Sequence, residues 1–102
     1  MAAVEIIAAK RAGGRLAAEQ WREFAEAAAA ADGSWSDGQL AALLMAIAVV
    51  GLDVEETGWL VEAMAGTGGR IAPERFTRPA VDKHSTGGVG DKASLVAAPL
   101  AP

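Results

Sequence analysis

The chain has 102 residues, of which 52% are apolar and 22% are charged, a composition that supports one small packed domain and excludes a disordered chain. It has no cysteine and one histidine, so a disulfide framework, a cysteine nucleophile and a thiolate metal site are excluded, and a histidine-based metal site is disfavoured. The net charge of −4 argues against a general nucleic-acid binder, although the excess of acidic side chains lies in residues 1–66 and residues 67–102 are mildly basic.

The first predicted element is a helix over roughly residues 3–12. Four of its side chains recur at helical spacing along one face: Val4, Ile7, Ala8 and Arg11. The pair Gly13-Gly14 follows and is a typical signal for the end of a helix.

The second predicted helix covers roughly residues 17–31. Its inner stripe is predicted to contain Leu16, Gln20, Phe24 and Ala27, with Trp21 and Ala28 beside them. The exposed side is predicted to carry Glu19, Arg22, Glu23 and Glu26.

The third helix is predicted to begin with a capping box, in which the side chains of Ser36 and Gln39 each accept a hydrogen bond from the other's backbone N–H. It is then apolar on all sides from residue 40 to residue 50, and Gly51 ends it. A helix without a polar face must be covered on several sides, so we expect it at the centre of a small bundle. The apolar run is too short to span a bilayer and no leader pattern opens the sequence, so we expect a cytoplasmic protein without membrane contact.

Asp53 is predicted to cap a fourth helix, with Glu56 three residues further on. Its inward side chains are predicted to be Leu60, Ala63 and Met64. Four helices joined by short turns predict a mostly α chain with a small four-helix domain at residues 1–65.

The character of the sequence changes after residue 65. Glycines and prolines predict a hinge or linker over residues 66–78, and we interpret the glycine-rich run at 66–69 as a helix end rather than a second phosphate loop. A short strand, a glycine-rich loop and a helix are then predicted within residues 79–102, as at the start of an α/β phosphate-binding domain. A single strand has no sheet to join, so we expect this domain to be incomplete and the chain to be the N-terminal part of a longer protein.

The segment 82–94 holds the groups that an oxyanion site needs. Backbone N–H groups can approach an anion closely at three glycines, Gly87, Gly88 and Gly90. Hydroxyl donors stand at Ser85, Thr86 and Ser94. Lys83 adds a positive charge, His84 can donate or accept a proton near neutral pH, and the N-terminus of a helix near Asp91 favours negative charge. Each group alone is common in structural roles, but their concentration in one short segment favours a phosphate site.

Two general nucleotide-binding patterns fit this segment poorly. The P-loop pattern fails because Asp91 separates Gly90 from Lys92. The dinucleotide pattern matches in its alanine-ended form at Gly88-x-Gly90-x-x-Ala93, but this match is weak without its acidic ribose partner.

A longer and more specific match lies at residues 83–92, whose sequence KHSTGGVGDK resembles the signature segment of the thymidine and pyrimidine-nucleoside phosphorylase family. The opening motif Ile6-Ile7 with Lys10-Arg11-x-Gly13 and the run from Gln39 to Ile47 also resemble that family. The resemblance therefore covers nearly the whole chain.

The resemblance implies reversible phosphorolysis, in which phosphate and a pyrimidine nucleoside such as thymidine give the free base and a pentose 1-phosphate. It implies a homodimer formed through the helical domain, phosphate as co-substrate and no cofactor. By position in the motif, phosphate would be bound by Lys83, Ser85 and Ser94, assisted by backbone N–H groups from Thr86 through Gly87 and Gly88 to Gly90. His84 would lie beside the pyrimidine as the catalytic residue and assist departure of the base.

The sequence departs from the family at a cation site. Some members bind potassium through the carbonyl at the position of Gly90 and a small hydroxyl side chain at the position of Lys92. An ammonium group there would compete with the ion, so we expect no potassium or other metal. The rest of the nucleoside site belongs to a domain that these 102 residues do not include, so we expect the fragment alone to be inactive.

Two alternatives remain open from the sequence. An anthranilate-type phosphoribosyltransferase of the same fold group also binds phosphate in a Gly-Thr-Gly-Gly-Asp loop, but Lys83-His84 before the glycine turn disfavours it. A non-catalytic helical dimerisation module with a disordered tail is the second alternative.

Overall fold

The computed structural model of the chain describes residues 2–82 and 99–100. Four helices follow one another: α1 (Ala3–Arg11), α2 (Ala18–Ala30), α3 (Asp37–Val50) and α4 (Val54–Gly66), and a single 3₁₀ turn follows at Pro73–Arg75. The described residues contain no strand. The prediction of a small four-helix domain is therefore confirmed.

The contacts divide the chain into two compact units, Met1–Arg70 and Ile71–Pro102. In the first unit, called the helical body below, α1 lies against α3 and α2 lies against α4. In the second unit, the described residues form the short 3₁₀ turn and are exposed. Among the described residues, no helix has both the length and the apolar content needed to cross a bilayer.

Side-chain caps fix where α3 and α4 begin. The Ser36 hydroxyl accepts the Gln39 N–H at 3.1 Å, and the Gln39 side-chain oxygen accepts the Ser36 N–H at 2.9 Å. At α4, Asp53 Oδ1 accepts the Glu56 N–H at 2.7 Å and Glu56 Oε1 accepts the Asp53 N–H at 3.3 Å. Both predicted capping boxes are confirmed, and each satisfies N–H groups that the helix itself leaves unbonded.

Glycines end two of the helices, as predicted. Gly51 closes α3 with a φ of 87°, and its N–H donates to the Ile47 carbonyl at 2.7 Å. After α1, Gly13 also has a φ of 87°, a conformation that other residues seldom adopt. The next residue, Gly14, folds back so closely that a Cβ atom there would lie 2.7 Å from the Ala9 carbonyl oxygen. This turn directs the chain from α1 into α2.

The core lies where α1, α2, α3 and the α2–α3 loop meet. It consists of Ile6, Leu16, Trp21, Phe24, Ala27, Trp35 and Leu43, all buried. The Phe24 ring meets the Trp21 ring edge-on at 6.4 Å between centroids and the Trp35 ring at 5.6 Å. These three rings are the largest side chains of the core, in a chain where nearly half of the apolar residues are alanine.

Helix α1 buries a different face from the one that its spacing indicated. Ile6 and Lys10 are buried, whereas Val4 is 65% exposed. Of the predicted stripe, Val4 and Arg11 are exposed, whereas Ile7 is half-buried and packs against the core. The buried side includes Lys10 because its charge is paired with that of Glu56, in a distant part of the chain.

The expectation that α3 would be covered on several sides is wrong for the described residues. Only Leu43 and Ala46 of this helix are buried, while Met45 is 64% and Val49 77% exposed. The reason is that α1 is the helix lying against α3, so one side of α3 is covered. Met64 on α4, predicted to face inward, is likewise 60% exposed, whereas Leu60 and Ala63, predicted to face inward with it, are half-buried.

Helix α4 continues through Gly66, and the Thr67 hydroxyl caps it by donating to the Met64 carbonyl at 2.7 Å. The run at 66–69 therefore includes a helix end, as interpreted from the sequence. Residues 80–82 have no strand, and the rest of the predicted strand, the glycine loop and the following helix lie outside the described residues. The division into a helical domain at 1–65, a hinge at 66–78 and an α/β domain from 79 stays a prediction.

Candidate functional site

The phosphate site predicted from the sequence lies outside the described residues. This holds for His84, predicted to be catalytic, and for the predicted phosphate ligands Lys83, Ser85, Thr86, Gly87, Gly88, Gly90 and Ser94. Lys92, on which the expected absence of potassium depends, lies outside them as well. Their arrangement stays a prediction.

The described residues do bring together a buried charged pair that sequence reasoning missed. Lys10 Nζ, at the C-terminal end of α1, donates to both carboxylate oxygens of Glu56 in the first turn of α4, at 3.0 and 3.1 Å. Both side chains are 3% exposed. The Leu16 N–H, in the loop between α1 and α2, donates to the same carboxylate at 3.0 Å. One carboxylate therefore connects α1, the following loop and α4.

Hydrogen bonding sets the charge state of Glu56. Burial opposes ionisation and is the largest single influence, but hydrogen bonds from the Leu16 N–H, Lys10 and the Asp53 N–H, together with the charge of Lys10, outweigh it. The pKa of Glu56 therefore lies below its ordinary value. Since Lys10 and Glu56 neutralise each other, this pair has no charge or proton left over for a substrate, and its role is to hold helices together.

A second charged group lies at the surface beside this pair. Arg15 contacts Asp53 at 2.6 Å and Glu55 at 2.8 Å, and its guanidinium carbon lies 5.2 Å from the centre of the Trp59 ring. The Glu56 N–H is the main cause of the lowered pKa of Asp53, with Arg15 a smaller one. Each of these ion-pair side chains is about half exposed, so the ion pairs contribute little stability by themselves.

The sequence contained a weak signal for the buried pair. Lys10 is four residues after Ile6, so the two share a helix face, and the capping role of Glu56 was predicted. What the sequence could not supply was the contact between residues 46 positions apart.

The pH dependence of stability is expected to report on Glu56. Because the pKa of Glu56 is lowered in the folded state, its contribution is present at neutral pH and is lost as the pH falls through that lowered pKa. Glu56→Gln should therefore lower the free energy of unfolding by about 2 kcal/mol at pH 7, and by progressively less below about pH 4. Urea unfolding followed by circular dichroism at several pH values measures this.

Glu55→Gln is the matched control, because Glu55 is the exposed neighbour on the same helix. Its effect should stay small at every pH. A Glu56→Gln effect of constant size from pH 7 to pH 3 would contradict the assignment.

A groove with apolar walls runs between α1 and α3. Its lining residues are Ile7, Arg11, Ala42, Met45, Ala46, Val49 and Val50; we call it the α1–α3 groove. Arg11 at its edge carries a charge, while the exposed residues of α3 around it are all apolar. Within the part of the chain that the structure describes, no group of three or more carboxylate or histidine side chains could hold a metal ion.

Comparisons with known proteins identify the family. Residues 4–68, which include all four helices apart from one residue at the start of α1, match the glycosyl transferase family, helical bundle domain. The chain is 50% identical to thymidine phosphorylase of Homo sapiens over 96 residues, covering 93% of the chain and 20% of the relative. For the Rattus norvegicus enzyme the identity is 48% with the same coverage, and for that of Sinorhizobium medicae it is 47%, covering 94% of the chain and 22% of the relative.

The chain thus spans about a fifth of the length of these relatives. No solved structure matches it. The human relative aligns with 93% of the chain, so only a few residues remain unaligned. Even if all of these lie at the C-terminal end, the alignment still includes positions 83–94. The similarity therefore extends beyond the four helices and through the glycine-rich segment, and the chain belongs to the glycosyl transferase family, with a helical bundle domain of the kind found in thymidine phosphorylases.

Proposed function

We propose that this chain is the N-terminal part of a thymidine phosphorylase, a pentosyltransferase that converts thymidine and phosphate reversibly into thymine and 2-deoxyribose 1-phosphate. The observation that carries the proposal is the similarity to thymidine phosphorylases through positions 83–94 as well as through the helices. A helical bundle alone is compatible with several reactions. The glycine-rich segment adds groups suited to this one.

Phosphate is the co-substrate whose binding this segment explains best. Lys83 supplies a full positive charge, and Ser85 and Ser94 supply hydroxyl donors, while backbone N–H groups between Thr86 and Gly90 complete the set. Phosphate is already an anion, so it needs positioning more than deprotonation. No further cofactor is required by this chemistry.

His84 is proposed to assist the departing base. As the bond to the sugar breaks, negative charge develops on the pyrimidine and positive charge on the sugar carbon. An imidazole beside the pyrimidine can donate a hydrogen bond to the base as this charge develops.

We also propose that Lys92 takes the place of a potassium ion. An ammonium group at this position supplies the positive charge that a bound cation would bring, and it repels a second cation. On this proposal, the parent enzyme binds no potassium at this position.

The second proposed partner is another copy of this chain, seated on the α1–α3 groove. Met45 and Val49 are each more than 60% exposed in the helical body, and an apolar surface of this kind on adjacent helices is typical of subunit interfaces. A two-fold axis would bring the α1–α3 grooves of both subunits together, so that each subunit covers the groove of the other. Covering α3 in this way also accounts for the apolar character of all its exposed residues within 41–50.

A chimera tests the proposed reaction. This chain replaces the matching part of the human thymidine phosphorylase, and the product is expected to release thymine from thymidine only when phosphate is present. Lys83→Ala in the chimera should lower kcat/KM for phosphate by about 100-fold, because it removes a charge that contacts the anion. The assay follows thymine release spectroscopically.

Arg75→Ala is the control, since it removes a positive charge from an exposed residue that is not proposed to contact phosphate. A folded chimera that is inactive would contradict the proposal, as would equal losses from the Lys83 and Arg75 variants. Turnover of anthranilate with phosphoribosyl pyrophosphate would support the phosphoribosyltransferase alternative instead, although the relatives named above favour the phosphorylase.

A further inference from the structure

Helix α4 is attached to the helical body in an unusual way. Its one buried residue is Glu56, a charged side chain, whereas α2 buries Trp21, Phe24 and two alanines. The apolar residues of α4 are half-buried or exposed: Trp59 and Leu60 are half-buried, and Val54, Val61 and Met64 are 60–90% exposed. Apolar burial therefore holds α4 less firmly than it holds the other helices.

The polar contacts of α4 with the rest of the body all lie near its N-terminal end. Lys10 and the Leu16 N–H bind Glu56. Arg15 contacts Asp53 and Glu55 and lies over the Trp59 ring. In the described structure, residues 60–66 have no side-chain hydrogen bond or ion pair to another helix.

No buried residue of the core cluster belongs to α4. The buried cluster of Ile6, Leu16, Trp21, Phe24, Ala27, Trp35 and Leu43 comes entirely from α1, α2, α3 and their loops, and Trp59 and Leu60 of α4 pack against its edge. Moving α4 away would expose half-buried side chains at its inner face but would leave the contacts among these seven residues in place.

The buried pair has opposite effects on the attached and released states. With α4 in place, Lys10 and Glu56 are shielded from water and depend on each other, so loss of either charge leaves the other unpaired in the interior. With α4 released, each group regains water and needs no partner. Removing one charge therefore lowers the free energy needed to release α4.

From this geometry we propose that the Lys10–Glu56 pair is a latch that keeps α4 on the helical body, and that α4 can detach as a unit while α1, α2 and α3 stay folded. Helix α4 runs directly into residues 67–82, which precede the glycine-rich segment. While the Lys10–Glu56 pair is intact, only residues 67–82 separate the helical body from the glycine-rich segment. When the pair is broken and α4 detaches, the residues of α4 are added to this connection.

Hydrogen exchange of the complete 102-residue chain, resolved by NMR or mass spectrometry, tests the latch. In Glu56→Gln, backbone N–H groups of residues 57–66 should exchange at least tenfold faster than in the unaltered chain, and their protection factors should stay at least tenfold below those of the slowest-exchanging residues of α1, α2 and α3. Lys10→Met should give the same pattern, with fast exchange on α4 although the substitution is on α1. Glu55→Gln, which alters the exposed neighbour, should change neither region.

A double variant separates the latch from simple loss of packing. Lys10→Met combined with Glu56→Leu removes both charges and keeps apolar volume, so it should restore slow exchange on α4. Equal protection factors on α4 and on the slowest-exchanging residues of α1, α2 and α3 would overturn the proposal, because α4 would then open only with the whole body. Unchanged exchange on α4 in both single variants would overturn it too.

Discussion

Trp21→Ala is expected to lower the free energy of unfolding of the helical body by about 4 kcal/mol. At the usual stability per residue, the free energy of unfolding of the whole body is only about 4–10 kcal/mol, so the variant should be largely unfolded or close to it. Trp21 is 0% exposed and contacts Phe24 at the centre of the core. Its indole N–H has no hydrogen-bond partner among the residues that the structure describes, so lost packing accounts for the effect.

Urea unfolding followed by circular dichroism is the appropriate measurement, because removing a tryptophan also changes the fluorescence. Val54→Ala is the control, since Val54 is 90% exposed and the substitution should lower the free energy of unfolding by less than about 0.5 kcal/mol. A change below about 1 kcal/mol for Trp21→Ala would mean that this side chain is not central to the core.

Val49→Glu is expected to weaken self-association of the chain by at least about a thousandfold. Val49 lies in the α1–α3 groove, and a two-fold axis would bring two such carboxylates into one apolar interface, each without a partner. The side chain is 77% exposed in the single helical body, so the folded monomer should tolerate the charge. Sedimentation velocity over a concentration series gives the change in the association constant.

Val54→Glu provides the comparison, because it adds the same charge at an exposed position of α4 outside the groove. It should leave association unchanged. If the unaltered chain remains a monomer at high concentration, or if both variants weaken association equally, the groove is not the subunit interface.

Local signals in the sequence predicted where the helices begin and end. The capping boxes at Ser36 and Asp53 and the glycines at 13 and 51 act through neighbours within a few residues, so a single sequence contains what is needed. Which side of each helix is buried depends instead on distant partners. Lys10 is buried because Glu56 meets it, and no periodicity in α1 alone contains that information.

The environment of α3 and the phosphate site show a second limit of prediction from a single sequence. An apolar helix must be covered, but its sequence does not say whether another helix of the same body or a second subunit covers it. The phosphate site was predicted from the specificity of a ten-residue run, which indicates the chemical groups. A strand needs a sheet to join, and the single strand predicted within residues 79–102 cannot provide one, so the sequence does not give the positions of those groups.

The burial of Lys10 has a consequence for how the protein can be modified. Its side chain is 3% exposed and its ammonium donates to both oxygens of one carboxylate, so an acetyltransferase cannot reach it while α4 is attached. Acetylation elsewhere in a protein can be reversible signalling, but at this lysine it would have to follow an opening of the fold. An acetyl group found on Lys10 would therefore mark molecules that had been open when they met the enzyme.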